Sequence, residues 1–193
     1  MAGALAATVI LAACSGTASH ASSSGVPTAA TQSGSAAANP PGDIPDNQAY
    51  VAFSPAGGGY SVKVPEGWSR TSTGSATSFT DKLNNIEVAA VAAPTQPTVA
   101  SVNSTDVSSV KATVAKFAMG KVTVVVRGGG SAILLTYQGD SAPDQVTGKV
   151  VRDAFERYTF YRAGKRVDLT LSGPINADNV DPWRTVSDSL RLI

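Results

Sequence analysis

Cysteine and histidine each occur once in these 193 residues, at Cys14 and His20. A single thiol excludes an internal disulfide, so any core is held by packing alone. A single histidine, placed in a tract of small polar residues, excludes a Ser-His-Asp arrangement inside a folded domain and a His/Cys zinc cluster. Aromatic residues are only 6% of the chain, and no Lys or Arg precedes Lys63. Charge of one sign is also lacking: the net charge is +1, which excludes a polyelectrolyte surface and with it a nucleic-acid partner. Neither of two triple glycines, Gly57–Gly59 and Gly128–Gly130, is followed by G-K-[ST], so they read as tight turns rather than a phosphate cradle.

What is present begins with ALAATVILAA at residues 4–13, an apolar run of signal-peptide length and too short to span a bilayer as a helix. The sequence LAAC followed by Ser15 and Gly16 resembles the bacterial lipobox. That resemblance implies that residues 1–13 are a lipoprotein signal peptide, and that Cys14 receives a diacylglyceryl group and becomes the mature N-terminus. Two acyl chains give stable anchoring where one gives marginal binding, so Cys14 is expected to tether the protein to the outer face of the plasma membrane. The competing reading is a small apolar or buried thiol without modification. A signal peptide carries a basic leading region that is missing here, which points to a start upstream of Met1.

Residues 14–47 contain no aromatic side chain and almost no large aliphatic one, and are read as a flexible linker. From residue 48 to 193 short β-rich runs alternate with turn residues. AYVAFS, YSVKVP, ATSFTDK and NIEVAAVAA are candidate strands, the last two a hairpin turning near Leu83 and Asn84. Val107, Val110, Val114 and Phe117 recur at helical spacing, with a cap among Ser104, Thr105 and Asp106 and a stop at Gly120. KVTVVVR and SAILLTYQ form a second hairpin, AFERYTFYR and KRVDLTLS a third turning at Ala163–Gly164. A final helix is capped by Asp181, starts at Pro182, and presents Val180, Trp183, Val186 and Leu190 as its apolar stripe. Hairpins with inserted helices predict an α+β fold, an antiparallel β-sheet covered by helices.

GYSVKVPEGWSR resembles the entry motif of PsbP-like domains, and DPWRTVSDSLRL resembles their closing helix. Together with the lipobox and linker, the chain is similar to actinobacterial secreted lipoproteins of that fold class, to which the mycobacterial LpqN group is related. The resemblance covers residues 50–193 and implies an α/β/α sandwich acting as a binding or assembly module without a shared catalytic site.

Candidate chemistry is sparse, and no cofactor is expected. Ser108 and Lys111 match S-x-x-K, the spacing that sets a lysine against a nucleophilic serine, but no S-D-N or K-T-G partner follows, and a solvated helix face competes. Asp140, Asp144, Asp178, Asn179 and Asp181 offer oxygen ligands for Ca²⁺, yet their spacing fails the EF-hand pattern and caps compete. Trp68 and Trp183, with Tyr158, Phe160 and Tyr161, are candidate pocket walls or simply core. Lys149, Arg152, Arg157, Arg162, Lys165 and Arg166 form a basic segment that suits anionic lipid or wall polymer; a charged edge hairpin is the competing reading. The expected function is a lipid-anchored, non-enzymatic module binding an envelope protein or polymer, with a carrier of a small apolar or lipid ligand as the alternative.

Overall fold

The computed structural model describes residues 40–144 and 146–193. Cys14, the apolar run before it and most of the linker lie outside the described residues. Strands β1 (Tyr50–Phe53) and β2 (Tyr60–Pro65) form a small sheet with β10 (Arg191–Leu192). A second sheet holds β3 (Ser69–Thr73), β4 (Ala76–Asp81), β5 (Asn84–Ala92), β6 (Ala118–Arg127), β7 (Gly130–Asp140), β8 (Arg152–Arg162) and β9 (Lys165–Pro174). Their order is β3-β4-β5-β9-β8-β7-β6, every pairing antiparallel. The α+β fold predicted from the sequence is the one observed.

Two apolar clusters give the layers. Val167, Leu169 and Leu171 of β9 alternate onto one face of the large sheet, where Tyr60, Val62, Ile86, Val88, Tyr158 and Phe160 join them under the helix α3 (Val180–Ser189) and the small sheet. The opposite face is covered over β6, β7 and β8 by an interrupted helix spanning 99–113. Its parts are α1 (Val99–Ser101), a π-helical turn (Val102–Asp106) and α2 (Val107–Thr113). Val102 and Val110 pack there on Ile133, Leu135 and Tyr137. Among the described residues no helix is long and apolar enough to cross a membrane.

Four local expectations are corrected, and one strand is added. The helix begins at Val99, because Thr98 and Ser101 exchange side-chain and backbone hydrogen bonds as a capping box, and it ends at Thr113, leaving Gly120 inside β6. α3 is preceded by Asn179 rather than capped by Asp181, and Val180 is 72% exposed rather than part of the apolar stripe. β3, with the wholly polar sequence SRTST, carries no alternation to announce it and forms by pairing with β4 across Gly74. The β8–β9 hairpin is central in the sheet rather than at its edge, since β5 and β7 flank it. Finally, the packed body begins before residue 48. Ile44 is 4% exposed, its N–H donates to Asn179 Oδ1 at 2.9 Å, and Gly42 O accepts from the side-chain amides of Asn84 and Asn179.

Candidate functional site

The basic segment is largely committed to internal pairs. Arg157 and Arg166 converge on Asp168, at 2.9 Å each, and Thr159 donates to the same carboxylate at 2.7 Å. Arg166 also pairs with Asp106 in the π-helical turn, tying the interrupted helix to the sheet. Arg152 reaches Asp140 at 3.6 Å and the Lys116 carbonyl at 2.6 Å. Arg162 donates to Leu192 O at 2.9 Å. Lys149 and Lys165 remain, and among the described residues no carboxylate lies within ion-pair distance of either.

The aromatic candidates separate. Tyr158 and Phe160 are core, 1% and 0% exposed. The Tyr158 hydroxyl donates to Glu156 at 2.6 Å and accepts from Arg127, which also reaches Ser187 of α3. Trp68 and Trp183 are partly buried against the large cluster, and Trp183 borders a 400 Å³ surface depression with Gln138, Phe155 and Glu156. Tyr161 lines a smaller depression of 260 Å³ beside Pro97 and Val124. Tyr137 stacks on Phe155 with centroids 4.5 Å apart; burial first, then the Glu87 charge, pushes its hydroxyl up to about 12 against the opposing Arg157.

The other constellations are occupied by structural roles. The Ser108 hydroxyl donates to Ser104 O at 2.9 Å on an exposed helix face that also carries Lys111. Asp140 pairs with Lys116 at 2.8 Å, and Asp144 accepts from the Val146 and Thr147 backbone and the Thr147 hydroxyl. Asn179 holds Ile44 and Asn84, and the Asp178 N–H donates to Asp43. Among the described residues no three His, Cys, Asp or Glu side chains form a metal-holding group.

Sequence reasoning missed a 720 Å³ groove where the hairpin turns gather at one end of the sandwich. Its walls are the β1–β2 loop from Ser54 to Gly58, the β3–β4 turn, the end of β5 and the β8–β9 turn Ala163–Gly164. Glycine is required at Gly59, where φ is +94° and a Cβ would run into the Lys165 side chain. Phe53 and Tyr60 supply ring surface, their centroids 6.3 Å apart, and the Arg70 guanidinium lies 5.8 Å from the Phe53 centroid. Arg70 and Lys165 line the groove, and its described walls include no Asp or Glu. Tyr60 is 1% exposed, and its hydroxyl, sealed from solvent, has no hydrogen-bond partner among the described residues. Burial raises the pKa of that hydroxyl, so it is a neutral donor at ordinary pH. Two cations and the half-buried Phe53 ring suit an anionic group carried on an apolar or aromatic body. Only the triple glycine and the Trp68-Ser69-Arg70 run hinted at this place in the sequence.

No family model matches the chain, and no curated protein matches it. Among solved structures, the solution structure of cyanobacterial PsbP (CyanoP) from Synechocystis sp. PCC 6803 superposes with a TM-score of 0.53 and 17% identity, over 76% of this chain and 94% of that one. The fold is PsbP-like. LpqN of Mycobacterium tuberculosis, described as involved in cell envelope biogenesis, is similar at a TM-score of 0.44 and 14% identity, over 76% of this chain and 92% of its own. A crystal structure from Bacteroides thetaiotaomicron gives 0.49 and 12% over 74% of this chain, which spans about half, 48%, of that protein. In the PsbP-like sandwich of this chain, the groove sits at the hairpin-turn end of the two layers.

Proposed function

We propose that this chain is a non-enzymatic binding module of the bacterial cell envelope, fastened through an acylated Cys14 to the outer face of the plasma membrane. In this reading its groove docks an anionic envelope component. The observation that carries it is the pairing of Arg70 and Lys165 in a recess whose described walls hold no carboxylate. The lipobox-like LAAC and the small-residue tract after it support the anchor and the reach. The packed core favours surface docking over a ligand enclosed between sheet and helix: Phe160, Val167, Leu169 and Leu171 at the centre of the large sheet are all 0% exposed.

Two measurements test the proposal. Labelling intact cells with an alkyne fatty acid tags the wild-type protein and leaves Cys14→Ser untagged; equal labelling, or none in either, removes the anchor. A photocrosslinking residue in place of Ala56, on the groove wall, forms an adduct in cells that is lost in Arg70→Ala with Lys165→Ala. An adduct insensitive to both substitutions removes the docking site.

A further inference from the structure

At the opposite end of the large sheet a second recess of 540 Å³ opens beside the β4–β5 turn and the loop joining β7 to β8. Asp153, Phe155, Arg157, Thr159 and Tyr161 share one face of β8 by strand alternation, and Asp153 and Phe155 line this recess. Asp153 is 4% exposed, its Oδ1 is sealed from solvent, and that oxygen has no hydrogen-bond partner among the described residues. A buried carboxylate with free lone pairs is costly, and the cost is relieved only when O–H or N–H donors arrive. Burial, aided by the nearby Asp140 charge, accordingly pushes this carboxyl up to about 6.

The rest of the lining defines which donors. Thr80, Asn85 and Ser172 present hydroxyl and amide groups that both donate and accept, while the Ser141 hydroxyl is engaged with Ala142 O and the Val151 N–H. Lys82 and Lys149 balance Asp144 and Asp153, so the recess favours neither a cation nor an anion. Asp144 lies exposed and takes the Val146 and Thr147 donors on Oδ1, whereas Asp153 is the buried acceptor of the recess. Phe155, stacked on Tyr137 on one side, gives an apolar wall for the C–H face of a ring. We propose that this recess is a second ligand site, independent of the groove, for a neutral hydroxyl-rich ring: one monosaccharide unit, with Asp153 on its wall accepting a hydroxyl.

The test is an amide-resolved NMR titration of the isotopically labelled full chain with glucose and, separately, N-acetylglucosamine, with methylammonium as the charged control. Saturable shifts confined to Asn85, Ser141, Val151 and Ser172 are expected with one of the two sugars, at millimolar concentration. Asp153→Asn weakens binding at least tenfold, Phe155→Leu weakens it less, and Arg70→Ala leaves it unchanged. Both recess variants must give dispersed spectra, and Asp153→Asn retains a well-buried amide of equal size. Absence of saturable shifts with both sugars, equal affinity in Asp153→Asn, or a response to methylammonium in place of sugar overturns the proposal.

Discussion

Asp153 on β8 and Asp168 on β9 are both buried carboxyls, and the fold treats them oppositely. Asp168 accepts from Arg157, Arg166 and Thr159, so its removal strands the part-buried Arg157 guanidinium and leaves Arg166 with Asp106 alone. Asp168→Ala is expected to destabilise the domain by roughly 3 kcal/mol, read by urea unfolding at pH 7. Asp153 has a folded-state pKa of about 6, raised above the value of about 4 expected in the unfolded chain. Below pH 4 both states hold the proton and no penalty exists. As pH rises from 4 to 6 the folded state binds more proton than the unfolded one, so stability falls, by roughly 2 to 3 kcal/mol in all. Asp153→Asn should flatten that slope and leave the protein more stable at pH 7.5 than the wild type; unfolding curves at pH 4 and 7.5 decide it. An aspartate kept at a net cost to stability is the pattern of a functional position. Nothing in the residues around Asp153 announced this. DAFERYTFYR reads as a strand, and which acid meets a partner depends on what lies across the sheet.

Elements with a periodic apolar stripe were legible, and those shaped by neighbours were not. Val167, Leu169 and Leu171 alternate as expected and are all 0% exposed. The interrupted helix was placed too late, because its start rests on Thr98 and Ser101 rather than on an acidic capping-box partner. Thr98→Ala is expected to cost about 1 kcal/mol and to loosen amide-exchange protection at Ser101 and Val102 first. The second triple glycine turns at Gly128 and Gly129 into the positive-φ Gly130 that starts β7, but its first member has a tertiary reason. A Cβ at Gly128 would meet the Asp188 carbonyl and the Arg191 guanidinium at the end of α3. Gly128→Ala should therefore lower stability by roughly 1 to 3 kcal/mol, whereas Gly57→Ala, facing open space, stays near neutral; thermal unfolding of the pair separates steric from local effects.

Across the whole molecule, the described chain enters the sandwich at one end and the groove opens at the other. Gly42 lies against Pro174 and Asn84, while the groove is walled by Lys165 and Ala92, the far ends of the same two strands. The 10 residues of β9 separate the two ends by roughly 30 Å. Because Ile44 is buried and Gly42 and Ile44 are bonded to Asn84 and Asn179, a chain beginning at residue 40 should match the stability of the full chain. One beginning at residue 48 should lose about 2 kcal/mol or more, as chemical unfolding of the two truncations will register. Composition drew that boundary too late, since PPGDIPDN carries one large aliphatic side chain and its anchoring partners are more than 40 positions away. By itself, the sequence determined the α+β class, most strands and the absence of histidine chemistry from the domain, because alternation, turn residues and counts are local properties. The tertiary structure alone decided which charges are cancelled, which carboxyl stays unpartnered and that Arg70 and Lys165 line one groove, because electrostatics and burial depend on side chains that come together across strands distant in the chain.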